Sequence, residues 1–261
     1  MSRLDLEMVE RGLAPTRSKA QALIMAGVVL IDDRPARKAG EPVEAENVIA
    51  LLEPPRFVSR GGEKLEHALS EFEIDLSGKV CADIGASTGG FTDAMLKRGA
   101  ASVFAVDVGY GQIALELRND PRVVVMDRTN ARYLEALPLP IEFVSIDASF
   151  ISLSRLFPAA NRISAPDAGV VALIKPQFEA GKGEVGKNGV VRDNVVHARI
   201  LRNVVASAAT NGFALVGLTA SPIRGPAGNI EFLGYFQLSH DPELPADLDA
   251  EIDRTIAGAP Q

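Results

Sequence analysis

The sequence predicts an α/β protein: a doubly wound, mostly parallel sheet of seven strands, preceded by a small α+β block with its own pattern. Three observations predict it. Val80–Gly111 reads as strand, glycine turn, helix and strand, the first half of a nucleotide-binding α/β unit. Further apolar runs then alternate with helical stretches, and most of them end on a charged residue. Residues 1–53 carry shorter helices and strands, closed off by Glu53-Pro54-Pro55-Arg56, a linker stiffened by proline.

In the first block, Arg3–Glu10 and Ser18–Ala26 read as helices, the second introduced by Thr16-Arg17-Ser18-Lys19. Val28–Ile31 is a strand, Asp32-Asp33-Arg34-Pro35 a turn, and Glu46–Leu52 a further strand. A helix start carrying Arg and Lys suits phosphate. The plainer alternative is a set of solvated charges on a small domain. The boundaries expected are 1–53 for this block, 54–60 for the linker, 61–239 for the large domain and 240–261 for an acidic tail. Phe57-Val58-Ser59-Arg60-Gly61-Gly62-Glu63-Lys64-Leu65 leads into a helix ending near Phe72, before Ser77-Gly78.

The strands of the large domain follow in order. Val80–Ile84 precedes the turn Gly85-Ala-Ser-Thr-Gly89-Gly90, and Phe91–Arg98 is helical. Ser102–Val106 ends at Asp107, Val123–Met126 at Asp127, Ile141–Ile146 at Asp147 and Gly169–Ile174 at Lys175. Helices are expected near Gln112–Leu117, over Ser152–Ile163 and over Arg192–Asn211. Phe213–Thr219 and Ile230–Leu238 form a hairpin-like antiparallel finish. Ligands of such sheets bind at the carboxyl ends of the strands, so Asp83, Asp107, Asp127, Asp147 and Lys175 are expected in one crevice.

The turn's spacing, Gly85-x-x-x-Gly89-Gly90, is not the G-x-G-x-x-G of dinucleotide binders. Asp83, at the last turn of the first strand, suits a cationic ligand better than a diphosphate. Asp107 lies roughly 20 residues on, where a carboxylate can accept both hydroxyls of a ribose. An α/β turn without a ligand is the alternative. Gly181–Asn188 nearly spells a P-loop, but Asn188 replaces the Mg²⁺-binding hydroxyl and no strand runs into it. It reads as a mobile, basic-tipped loop over the substrate.

Composition is ordinary for a soluble globular chain of 261 residues, with 47% hydrophobic residues. The one cysteine, Cys81, excludes a disulfide framework and reads as a core residue. No run is long and apolar enough for a membrane span, and the charged N-terminus does not read as a signal peptide, so a cytoplasmic location is expected. The net charge of −7 argues against a nucleic-acid partner. Its distribution weakens that argument: residues 240–261 hold six acidic residues and one Arg, leaving −2 for the rest, and residues 1–64 balance ten basic against ten acidic side chains.

Several stretches carry a family resemblance. DIGASTGGFT resembles the first motif of S-adenosylmethionine-dependent methyltransferases. RLDLEMVERGLAPTRSKAQALIMAGVVLIDDRPARKAGEPV resembles the small RNA-binding domain named after the fourth protein of the small ribosomal subunit, though Asp32-Asp33 stands at a turn that usually carries Asn and Gly. With VSRGGEKL, SIDASF, LIKPQFEAGKGEVGKNGVVRD and GNIEF, the chain to about Leu238 resembles the TlyA (haemolysin A) family of ribosomal RNA 2′-O-methyltransferases. The resemblance implies a Rossmann-like methyltransferase sheet, with S-adenosylmethionine as cofactor. Ribosomal RNA or a ribosomal subunit is the implied partner, with no membrane and no required metal. The implied reaction is methylation of a ribose 2′-hydroxyl, a cytidine being the expected target. The family's Lys-Asp-Lys-Glu tetrad falls on Lys64, Asp147, Lys175 and Glu231. RNA contacts fall on Arg3, Arg17, Ser18 and Lys19, with Arg37 and Lys38 beyond them. For the cofactor, the resemblance and the geometry of strand ends and glycine turn agree on Asp83, Gly85, Ser87, Gly89, Phe91, Asp107 and Asp127, the last as an adenine-edge contact.

The tetrad has a physical logic of its own. A ribose hydroxyl is a poor nucleophile at neutral pH, and a cation held against it stabilises the developing alkoxide. Lys175 can be that cation, or the base, with Asp147 and Glu231 orienting the lysines. Taken singly, Lys175 reads as a strand-terminal surface lysine and Asp147 as a turn carboxylate. Two other functions stand beside this one. A base-amine methyltransferase usually shows N/D-P-P-Y/F where this chain has Asp147-Ala-Ser-Phe150, and a cytosine-C5 mechanism needs a cysteine outside the core. A membrane-active or purely RNA-binding protein lacks the cationic amphipathic segment that lysis requires.

Overall fold

A computed structural model describes residues 2–25, 27–52, 56–181 and 183–260, together with all of their side chains except that of residue 187. The chain divides into two compact units, Met1–Arg56 and Phe57–Gln261. Ala26 and most of the Glu53–Arg56 linker stretch lie outside the described residues.

In the first unit, β1 (Ser2–Arg3) leads into α1 (Leu4–Glu10), followed by α2 (Arg17–Met25), β2 (Val29–Ile31), β3 (Arg34–Pro35), β4 (Pro42–Val43) and β5 (Ile49–Leu51). β1 pairs with β4, and β2 is the centre of the sheet β3-β2-β5. Leu4, Met8, Ala20, Ile24, Val29, Ile31 and Val43 close a core of their own. Asp32 and Asp33 form the turn between β2 and β3. Both residues have positive φ (48° and 65°), as a tight hairpin between β2 and β3 requires. Asp32 compensates by accepting from the Val48 N–H at 2.8 Å and from Asn47 Nδ2 at 2.5 Å.

The second unit runs α3 (Gly61–Glu71), β6 (Val80–Ile84), α4 (Gly90–Lys97), β7 (Ser102–Val106), α5 (Leu115–Arg118), β8 (Val123–Met126), β9 (Ile141–Ile146), α6 (Phe157–Ile163), β10 (Ser164–Ile174), α7 (Pro176–Glu179), α8 (Asn194–Thr210), β11 (Phe213–Ala220), β12 (Phe232–Leu238) and α9 (Leu248–Ala257). The sheet order is β11-β12-β10-β9-β6-β7-β8, with β12 antiparallel to both its neighbours and the other pairs parallel. The predicted seven-stranded doubly wound sheet is therefore the observed one.

Each face of the sheet is covered by helices, because alternate strand residues point to opposite sides. Cys81, Val103, Phe143 and Val171 pack toward Leu65, Leu69, Phe91 and Met95 of α3 and α4. Ala82, Val144, Val170 and Ala172 pack toward Phe157, Ile200, Val204, Leu248 and Ile252. The acidic segment read as a tail thus contributes α9 to the second face. β10 is longer than expected because Ser164 pairs with Ile141 before a register shift ahead of Gly169. The helix expected over Ser152–Ile163 opens as a 3₁₀ turn at Leu153–Arg155, and Pro158 follows at the second position of α6.

Candidate active site

The carboxyl ends of β6, β7, β9 and β10 meet above the glycine turn. Gly85 leaves β6 with φ 87°, and a Cβ there would lie 2.5 Å from the Asp147 carbonyl, so only glycine lets the ends of β6 and β9 come this close. At Gly90 a Cβ would lie 2.2 Å from Ser59 Oγ, so the starts of α3 and α4 also approach without a side chain between them. Two cavities open on either side of Gly85, Ser87 and Asp147. One, of about 460 Å³, is walled by Arg60, Lys64, Phe91 and Arg224. The other, of about 480 Å³, is walled by Asp107, Gln112, Asn130, Ala131 and Phe150.

Four of the expected residues form two ion pairs. Lys64 Nζ lies 2.5 Å from Glu231 Oε2, both side chains nearly dry. Lys175 Nζ lies 2.5 Å from Asp147 Oδ1, off hydrogen-bonding alignment, and donates to Ser149 Oγ at 3.0 Å. Lys64 and Asp147 share the wall of the 460 Å³ cavity, so each pair presents one member there. The two pairs are each neutral, so neither leaves an unpaired charge in a partly desolvated place; Arg60 and Arg224 add positive charge to the cavity wall.

On the other side, Asp107 Oδ2 accepts from the Ser87 N–H at 2.8 Å and Oδ1 from the Gly109 N–H at 2.7 Å. Each oxygen keeps a lone pair for a further donor, and the carboxylate lines the 480 Å³ cavity.

Two expectations need correction. Asp83 is fully buried and reaches neither cavity. It stands one residue before the end of β6, and strand alternation turns it under α4. There it accepts from Thr92 Oγ1 at 2.7 Å and Ser145 Oγ at 3.0 Å. Burial pushes its carboxyl up to about 7, against those two donors. Asp127 is drawn away by Arg118, whose Nη2 lies 3.1 Å from Oδ2; the cavity wall takes Thr129, Asn130 and Ala131 instead. Gly89 acts through packing, since a Cβ there would meet Leu117 Cδ1 at 2.3 Å. The Gly181–Asn188 loop follows α7, and the stretch after it is clipped by Asn229, which accepts from the Val191 N–H and donates to the Gly189 carbonyl. Lys182 and the side chain of Lys187, the basic tip, lie outside the described residues.

In the first unit, Arg3 and Arg17 converge on the buried Asp5, at 3.0 and 2.9 Å, with Gln21 Nε2 at 2.8 Å. The bond from Arg3 foremost holds that carboxyl far below the usual range. Both guanidiniums remain about half exposed. Ser18 and Lys19 are exposed at the start of α2, where the Lys19 N–H is capped by Thr16 Oγ1. Arg34, Arg37 and Lys38 are exposed in the same unit.

The model of FtsJ-like methyltransferases matches residues 57–238, and that of the S4 domain matches residues 2–49. The 16S/23S rRNA (cytidine-2′-O)-methyltransferase TlyA of Mycobacterium tuberculosis is 46% identical, over 99% of this chain and 98% of its own. The chain belongs to the TlyA family of FtsJ-like methyltransferases. Hemolysin A of Brachyspira hyodysenteriae is 41% identical over 90% of the chain and 99% of its own. A solved structure from Streptococcus thermophilus, titled as a candidate hemolysin, superposes with a TM-score of 0.76 at 41% identity, covering 98% of this chain and 96% of that one.

Within this family frame, three features of the site went unread in the sequence. Phe150 follows Asp147 at φ 65° and is 91% exposed, its ring 5.1 Å from that of Phe178. Glu179 accepts from Ser152 Oγ and the Leu153 N–H, tying α7 behind Lys175 to the loop behind Asp147; burial raises its carboxyl. Arg224 lines the Lys64 cavity from the loop before Glu231. SIDASFIS and KPQFE carried a signal for the first two in being one connected pair of loops. Arg224 lay in a stretch with no periodicity to read. Among the described residues, no group of three or more His, Cys, Asp or Glu is placed to hold a metal ion, and no helix is long and apolar enough to cross a membrane.

Proposed function

We propose that the chain transfers a methyl group from S-adenosylmethionine to a ribose 2′-hydroxyl of ribosomal RNA. The observation that carries this reading is the juxtaposition of two lysine–carboxylate pairs with the cavities flanking Gly85 and Asp107. The residues present fit such a cofactor: Asp107 offers free lone pairs to a ribose diol, and the Gly85–Ser87 backbone joins the two cavities. The naming of the M. tuberculosis relative supports RNA as the acceptor, as does the S4 match over residues 2–49 of the first unit.

When bound, S-adenosylmethionine supplies the electrophilic methyl group. The chain's own residues do the rest. Lys175, held by Asp147 and Ser149, stabilises negative charge as it develops on the 2′-oxygen. Lys64, its charge balanced by Glu231, stands on the wall of the 460 Å³ cavity with Asp147, Arg60 and Arg224. Phe150 offers an exposed ring on which a base can stack beside the reacting ribose. Arg17, Ser18 and Lys19 face phosphates at the start of α2, with Arg17, like Arg3, shared with Asp5.

Calorimetry with S-adenosylhomocysteine tests the cofactor half. Asp107→Ala is expected to weaken binding by about 1–3 kcal/mol, the cost of charge-assisted bonds left unmade. Tighter binding of NAD than of S-adenosylhomocysteine would refute it.

A further inference from the structure

The acidic C-terminal segment does more than cover the sheet. α9 docks through Leu248 and Ile252, and its Glu251 carboxylate accepts from the Leu218 N–H at 2.8 Å. Thr255 Oγ1 donates to the Leu218 carbonyl at 3.3 Å, so α9 satisfies β11, the edge strand, just after its register shift. Beyond α9 the chain reaches Pro260, whose carbonyl accepts from Arg224 Nη2 at 2.8 Å. The Nη1 of the same guanidinium donates to the Gly228 carbonyl at 3.1 Å. One fork thus holds the C-terminal segment and both ends of a short loop together.

That loop is the roof of the Lys64 cavity. Arg224 and Pro226 line it, and the Arg224 carbonyl accepts from Arg60, at the start of the helix that carries Lys64, at 2.8 Å. Gly225 bonds to Asn229 and Gly228, and a Cβ on Gly225 would lie 2.4 Å from Glu231 Oε1. The loop backbone therefore rests directly on the carboxylate that holds Lys64.

We infer that Arg224 is a positioning residue and the C-terminal segment a strut of the methyl-transfer site. The Pro260 and Gly228 carbonyls fix the guanidinium, and the guanidinium fixes the loop over Glu231 and Lys64. The inference rests on the reading that Lys64 and Glu231 belong to the reacting centre. The two carbonyls are served from two separate nitrogens of a planar fork, Nη1 and Nη2; the three donors of a lysine all leave one nitrogen and do not reproduce that span.

The test uses the full chain, Arg224→Met, Arg224→Lys, a chain ending at Ala257, and the Arg224→Met change in that shortened chain. Single-turnover methylation of an rRNA fragment is measured at saturating cofactor across RNA concentration and salt. Arg224→Met and the shortened chain should each react about 10- to 100-fold more slowly, the cost of a small misplacement. RNA half-saturation and its salt dependence should stay as in the full chain. The combined variant should be no slower than the slower single one, because both changes cut the same link, and Arg224→Lys should not restore the rate. Full rate in the shortened chain, rescue by lysine, or an effect confined to RNA half-saturation would each overturn the strut, the last two assigning Arg224 to a phosphate. If Arg224→Met does not fold, the shortened chain still decides. Lys64→Met, run alongside, reports on the underlying reading: full rate there removes that reading and the strut's target with it.

Discussion

Asp83 shows how one buried carboxyl carries a testable sign. Its folded pKa, about 7, lies above the ordinary value of 3.8, so the folded state binds more protons between the two. Stability attributable to this group therefore falls as pH rises through that window and levels off above it. Asp83→Asn keeps partners for the Thr92 and Ser145 hydroxyls, which can donate or accept, and removes the titration. Denaturant midpoints of the full chain are expected to decline relative to Asp83→Asn between about pH 4 and pH 7. A constant offset between the two would contradict the assignment. Gly225 makes a second prediction at this scale. Glu231 is 1% exposed and tied to Lys64, so it cannot retreat from a new methyl group. Gly225→Ala should slow methyl transfer by about tenfold or more, with S-adenosylhomocysteine binding retained. An unchanged single-turnover rate would show that the loop does not rest on the reacting centre.

At the scale of elements, β6, β7, β8 and β9 were legible residue for residue, because each is a mostly apolar run that stops at Gly85 or at an aspartate. Strand ends located Asp107, Asp147 and Lys175 for the same reason. What a strand end does not specify is direction. Asp83 lies one position inside the end and so faces α4, and Asp127 is captured by Arg118 from the preceding helix. α9 was missed because its buried Leu248 and Ile252 stand in an acidic run that reads as solvated; the burial comes from a sheet edge far away in sequence. α2 allows a prediction of its own kind. Lys19 is exposed at the helix start and is not drawn into the Asp5 cluster that engages Arg17. Lys19→Ala should therefore weaken rRNA binding evenly across sequences and reduce the slope of log affinity against log salt by about 1. Arg17→Ala should also lower the thermal midpoint, since it takes a partner from buried Asp5. An unaltered salt slope in Lys19→Ala would separate this surface from RNA.

At the scale of the whole molecule, a seven-stranded sheet brings residues from α3, the β9 and β10 ends and the β11–β12 loop to one place. None of Lys64, Asp147, Lys175 and Glu231 is informative alone, and their meaning comes from the pairing that the topology imposes. If this pairing activates a ribose hydroxyl, the position at which the methyl group lands decides it. The full chain and Lys175→Ala would be incubated with unmodified rRNA and S-adenosylmethionine labelled in the methyl group, and the product mapped by mass spectrometry and by resistance to alkaline cleavage. One labelled ribose 2′-oxygen is expected, formed about 10²–10³ times more slowly by Lys175→Ala. A methyl group on a base, or near-normal turnover in Lys175→Ala, would contradict it.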